Sequence, residues 1–229
     1  VNEYIPGDET SFTIIAFPVP AIGEQFPEIF KETIRINTLD YELYRDMQQK
    51  IIDVLDTAEY VEVIGKGENQ TNMQVQLAAL SNPEKQTKFE NCVADVNIPL
   101  GEVFTSPKLA GTNGILNVGT VYIGDIQYRN LRMEFKDGRV VSAVCDNFTE
   151  NGVADQEAGH RLIVQGIMNG HETLPLGEFA IGTNTTAYAM AEKFGILDRL
   201  PILIVEKMGP HFAVGDTCYS WSEDSPMYN

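Results

Sequence analysis

Apolar and polar positions change rhythm along this chain, and each rhythm predicts an element. Residues 11–17 form a largely apolar run of strand length. Over 39–56 the spacing turns helical. Leu39, Leu43, Met47, Ile51 and Leu55 recur in steps of four, predicting a core-packed stripe, and Asp46 with Lys50 makes an exposed acid-to-base pair. A second strand is predicted at 60–64, closed by Gly65 and Gly67. Strand, helix and strand on short links predict an α/β layer with partly parallel pairing.

Beyond residue 71 the period shortens. Met73, Val75 and Leu77 alternate with Asn72, Gln74 and Gln76, the pattern of a strand with one wet face over 72–80. The polar stretch 81–90 marks a domain boundary, giving a first domain over 1–88 and a second over 89–229. Short strands at 121–126, 131–135 and 140–145 predict an antiparallel set, with Lys136-Asp137-Gly138-Arg139 as a hairpin turn whose Asp-Gly pair accepts positive φ. Helical spacing returns at 154–168 and 186–194, and the apolar run 202–205 predicts a buried strand. The fold class is therefore α+β, a partial α/β layer followed by a mainly antiparallel portion with flanking helices.

Composition narrows the partners. Among 229 residues, 16 Lys and Arg face 33 Asp and Glu, a formal balance of −17 that repels phosphate backbones and anionic headgroups. Neither nucleic acid nor a membrane surface is expected as a partner, and the apolar runs fall far short of the roughly 20 residues of a spanning helix. Cys92, Cys145 and Cys218 are an odd number at irregular spacing, unlike a disulfide framework or a thiolate zinc site, so a reducing cytoplasm is the expected compartment. The chain opens at Val1 and is read as a piece of something longer.

Four stretches set titratable side chains beside Gly or Pro. They are Asn97-Ile-Pro-Leu-Gly-Glu102-Val-Phe-Thr-Ser-Pro107, Leu174-Pro-Leu-Gly-Glu178-Phe-Ala-Ile-Gly-Thr-Asn184, Glu206-Lys-Met-Gly-Pro-His211-Phe-Ala-Val-Gly215 and Asp216-Thr-Cys-Tyr219-Ser-Trp. Two repeat a Pro-Leu-Gly-Glu phrase in which the glutamate enters an apolar strand after a glycine. A carboxylate in such surroundings protonates or finds a cation. Glu102, Glu178, His211 and Tyr219 are satisfied together if they share divalent metal. Oxygen and imidazole donors suit zinc, manganese or cobalt. The alternative is that the two glutamates lie in surface turns or pair with Lys108, Lys193 or Lys207. His160 and His171 read as exposed. Gly65-Lys-Gly67 lacks the rest of a phosphate loop, no Gly-x-Ser-x-Gly elbow occurs, and the cysteines lack the setting of a thiol nucleophile.

These phrases, in this order, resemble the thermophilic metallo-aminopeptidase family, which includes aminopeptidases T and S and leucyl aminopeptidase-like proteins. The likeness is most specific over 91–221, and the first ninety residues resemble the end of that family's α/β amino-terminal domain. It implies a catalytic portion over 89–229, a co-catalytic pair of divalent ions and the removal of amino-terminal residues from peptides. Glu102 and Glu178 resemble the glutamate ligands, one of them bridging, and His211 resembles the first histidine ligand. Tyr219 resembles the tyrosine at the site, and Glu206 acts through a neighbouring ligand or carries a proton. The family completes its site with a downstream His-x-Asp phrase that does not occur here, so the chain alone is expected to be inactive. A homodimer is implied as well. The competing readings are a non-catalytic scaffold or oligomerisation fragment and an acidic module for basic peptides, the latter resting only on charge.

Overall fold

The computed structural model describes residues 12–94 and 96–215. In chain order the elements are β1 (Ile14–Ile15), α1 (Phe26–Asn37), α2 (Tyr41–Leu55), β2 (Tyr60–Ile64), β3 (Asn72–Gln76), β4 (Glu90–Cys92), β5 (Asn97–Ile98), β6 (Glu102–Thr105) and β7 (Lys108–Ile123). They continue with β8 (Ile126–Lys136), β9 (Arg139–Val144), β10 (Thr149–Glu150), β11 (Val153–Ala154), α3 (Gln156–Gly166), β12 (Leu176–Gly182), α4 (Thr185–Phe194), α5 (Ile202–Val205) and β13 (Pro210–Val214). The fold is α+β. A four-stranded sheet has the order β13-β12-β6-β4 and a five-stranded sheet the order β2-β3-β7-β8-β9. The chain divides into two compact units, one of residues 1–51, 91–103 and 181–210, the other of 52–90, 104–180 and 211–229.

The first unit is built on helices. Pro27 opens α1, Glu28 sits in its first turn and Arg35 in its last, each favourable to the helix dipole. Its inner face is Ile29, Thr33 and Ile36, all 1% exposed or less. The Thr33 hydroxyl donates to the Ile29 carbonyl at 2.9 Å, so a polar side chain sits in the core without an unmet bond. Across from it α4 offers Ala187, Met190 and Ala191, the two alanines leaving room for close helix approach. Ile22, Ile196, Leu200 and Ile204 complete this core. Each fully buried Ile contributes about 2 kcal/mol by its removal from water.

Four sequence expectations are corrected in β1, α2 and the 202–205 run. The strand over 11–17 is only the two residues of β1, which pair in parallel with β5, Ile14 opposite Asn97. Pro18 and Pro20 follow closely, removing ladder donors. The run 202–205 is a helical turn, not a strand. Pro201 stands at its N-cap and Ile204 is driven into the helical core, so tertiary packing overrides β-branched propensity. The helix at 39–56 exists as α2, capped by Asp40, whose Oδ1 accepts from the Glu42 and Leu43 amides at 3.0 and 3.1 Å. Its buried positions, however, are Tyr44, Gln48 and Ile52, while Leu43 is 63% and Met47 40% exposed. The buried stripe keeps the spacing of four but is displaced by one position, about 100° around the helix, from the predicted one. Asp46 pairs with Arg45 at 3.4 Å rather than with Lys50.

The second unit is built on the antiparallel five-stranded sheet. β2 pairs antiparallel with β3, Val61 opposite Val75, so the expected parallel layer does not form there. β3 keeps the predicted face, with Met73 and Val75 fully buried. The predicted 121–126 strand is two strand ends, since Gly124-Asp125 turns the chain between β7 and β8. Asp137 and Gly138 close the next hairpin at φ 45° and 68°, the two positive values that the turn chemistry asks for. Within β8, Asn130 takes φ 47°, and the buried parity shifts from Tyr128 to Leu131, Met133 and Phe135 around it. α3 lies against β9, burying Ile163. Its approach relies on Gly159 and Gly166, seven residues apart, where added Cβ atoms would meet the Cys145 carbonyl oxygen at 2.5 Å and Tyr128 Oη at 2.1 Å.

Candidate metal centre

The second unit brings two predicted residues together. β12 and β13 are neighbours, and each alternates a polar with an aromatic side chain, Glu178 with Phe179 and His211 with Phe212. The aromatic sides form one cluster, Phe179 lying 5.3 Å from Phe212 and 6.2 Å from Phe89 by ring centroids. With that face buried, the strand period puts Glu178 and His211 together on the opposite one. There His211 Nε2 lies 3.7 Å from Glu178 Oε1, with side chains 20% and 25% exposed. Donors bound to one tetrahedral ion at ordinary zinc–oxygen and zinc–nitrogen lengths lie about 3.4 Å apart. The pair therefore fits a divalent ion in donor type and nearly in spacing.

The first unit brings together a different set. Gly101 holds φ 120°, and a Cβ on it would come within 2.9 Å of Asn184 Cβ. This glycine permits the close approach that turns Glu102 inward at the start of β6. Glu102 is 5% and Lys207 0% exposed. The Lys207 ammonium donates to Glu102 Oε1 and, at 2.9 Å, to Glu206 Oε1. Burial acts to lower the Lys207 pKa, but attraction by Glu102 and then Glu206 outweighs it and the net shift is upward. Burial first, and the Glu102 charge second, push the Cys92 thiol up to about 12, so it stays protonated.

Residues outside the predicted set hold this triad. Asn184, 1% exposed, caps α4 by accepting from the Ala187 amide at 2.8 Å and donates from Nδ2 to the Leu100 carbonyl at 3.0 Å. Its own amide donates to the Lys207 carbonyl at 2.8 Å, and the Thr183 amide to the Gly101 carbonyl at 2.8 Å. Buried Gln48 donates to Asn91 Oδ1 at 2.6 Å and to the Cys92 carbonyl at 3.2 Å, and accepts from Thr183 Oγ1 at 2.7 Å. Sequence reading passed over Asn184, though an asparagine directly before Thr-Thr-Ala is a helix-start signal. It named Lys207 only as one of three possible partners for the glutamates. Gln48 had no signal beyond its place among hydrophobic residues.

Of the five residues proposed for the site, Glu178 and His211 meet in one unit, Glu102 and Glu206 meet through Lys207 in the other, and Tyr219 lies outside the described residues. Among the described residues no group of three His, Cys, Asp or Glu side chains converges as a metal cluster. No helix among them is long and apolar enough to cross a membrane.

An α+β fold presenting a carboxylate and an imidazole from adjacent strands has the donor chemistry of a divalent-metal protein. The family model of the thermophilic metalloproteases (M29) matches residues 1–222, and the chain belongs to that family. Among solved structures it is similar to wild-type AmpT from Thermus thermophilus, with 19% sequence identity, a TM-score of 0.55 and coverage of 87% of this chain. That likeness is one of fold, and this chain spans 47% of the AmpT chain. No curated protein matches.

Proposed function

We propose that this chain is part of a metal-dependent aminopeptidase that removes amino-terminal residues from peptides, with residues 1–88 ending its amino-terminal domain and 89–229 contributing to its catalytic domain. In this reading Glu102, Glu178 and His211 are metal ligands, and Tyr219 and Glu206 are catalytic side chains. Membership of a metalloprotease family supports the class, and the Glu178–His211 approach of 3.7 Å is the observation that carries the site. Two divalent ions, zinc, cobalt or manganese, would when bound acidify a water and polarise the scissile carbonyl.

The protein's own groups have separable tasks. β12 and β13, fixed by the tilted Phe179–Phe212 ring contact, hold the Glu178 and His211 donors at one separation. Holding them so lowers the ordering cost of binding. Glu206 passes a proton to the leaving amine, and Tyr219 donates a hydrogen bond to the substrate oxyanion, a contact worth roughly 2.7–4 kcal/mol where one such donor has been removed elsewhere. The free α-amino group would be read by a metal or by a carboxylate of the site, which favours trimming of chain ends. A cytoplasmic homodimer is part of the same reading.

The test uses the full-length enzyme. It should carry close to two divalent ions per chain, Glu178→Gln should lose at least one, and chelation should abolish hydrolysis of amino-acid anilides. Undiminished hydrolysis after exhaustive chelation overturns the reading. A second reading for this chain in isolation is a scaffold without functional metal, which rests on the His-x-Asp phrase that does not occur in the sequence. Peptidase activity in residues 1–229 alone would remove it.

A further inference from the structure

Lys207 places a full positive charge, shielded from solvent, directly on a carboxylate proposed to bind metal. Its two partners, Glu102 and Glu206, are both carboxylates, so two acids share one buried ammonium. The arrangement is built rather than casual. The Lys207 carbonyl and the Leu100 carbonyl, two residues before Glu102, are both held by Asn184, one through its backbone amide and the other through its side chain. The backbone at Lys207 and the backbone just before Glu102 are thus fastened to the same residue, and the two side chains meet across a separation of 105 positions in sequence.

We infer that Lys207 is a resident competing cation, which neutralises Glu102 when metal is absent and thereby weakens and tunes the hold of the site on its divalent ion. The physical basis is short. A buried carboxylate needs a positive partner in every state of the protein. Without metal Lys207 is that partner, and the protein folds without stranding the charge. When a dication approaches Glu102 it meets repulsion from an ammonium that cannot swing into solvent. Metal affinity is then lower than the ligands alone would give, and stability without metal is higher. The inference rests on the reading of Glu102 as a ligand.

The test is zinc titration of the full-length enzyme, stripped by chelation, with heat and thermal stability as readouts. Lys207→Met should bind zinc at least tenfold more tightly than the parent. It should also be less stable without zinc and gain a larger melting-temperature rise from it. Lys207→Arg, which keeps the charge, should show no such tightening. If Lys207→Met is unfolded without metal, zinc should fold it, and a chain that stays unfolded at saturating zinc overturns the inference. So does unchanged or weakened affinity in a folded Lys207→Met protein. A parallel Glu102→Gln titration separates the two levels. Zinc binding unaffected by Glu102→Gln removes the ligand reading and this inference with it. Weakened binding there, without tightening in Lys207→Met, defeats the inference alone.

Discussion

Replacing Asn184 by alanine should cost this chain about 2–4 kcal/mol of stability, and the figure follows from two separate losses. The Asn184 oxygen accepts from the Ala187 amide at 2.8 Å as the cap of α4, and removing such a cap costs about 1 kcal/mol. The Asn184 Nδ2 donates to the carbonyl of Leu100, which is 3% exposed, and a buried acceptor deprived of its donor costs about 1–3 kcal/mol. Urea denaturation followed by circular dichroism, with an unchanged m-value, measures the sum. Asn184→Ser separates the parts. Its hydroxyl can still cap α4 but cannot reach as an amide does, so it should recover about 1 kcal/mol relative to alanine. An alanine variant within about 0.5 kcal/mol of the parent would refute the reasoning, since that is the range of an ordinary surface change. A serine variant no better than alanine would refute the division into two terms.

Gly182→Ala should be more damaging than its size suggests. Its Cβ would lie 2.4 Å from the Lys207 carbonyl carbon and 2.5 Å from the Gly209 nitrogen, backbone atoms that cannot give way, so a loss of about 3 kcal/mol is expected in thermal melts. Stability should fall in alkali. The folded chain holds the Cys92 proton to about pH 12, while the unfolded chain releases it from pH 9.0, so stability is level below that range and declines across it, by roughly 4 kcal/mol at most. The raised Lys207 pKa acts in the same direction above 10.5, its contribution being fully present below that value. Urea midpoints from pH 8 to 11 should therefore drop less steeply in Cys92→Ala than in the parent, and parallel slopes would exclude the thiol as a cause. On α3, Gly166→Ala drives a Cβ to 2.1 Å from Tyr128 Oη, a hydroxyl with no hydrogen-bond partner among the described residues. It should lose about 2 kcal/mol, and adding Tyr128→Phe should restore more than half of that in a double-mutant cycle.

Where local physics is decisive, the sequence by itself determined the structure. The alternation of Met73, Val75 and Leu77 placed one face of β3 inward, Asp137-Gly138 set the β8–β9 hairpin, and the run ending at Phe194 and Gly195 was legible as α4. Each of these depends on neighbours within a few residues. The buried face of α2, the helical state of 202–205 and the antiparallel partner of β2 were decided by tertiary structure, because burial there depends on which surface arrives opposite. The candidate site divides the same way. Phrases such as Pro-Leu-Gly-Glu marked Glu102, Glu178 and His211 as residues with chemistry to do, and family resemblance supplied their order. That Glu178 would face His211 required two strands 33 positions apart to become neighbours in one sheet. That Glu102 would take Lys207 rather than Lys108 or Lys193 was beyond any local pattern, because a buried charge finds its partner only when the fold has removed every other source of solvation.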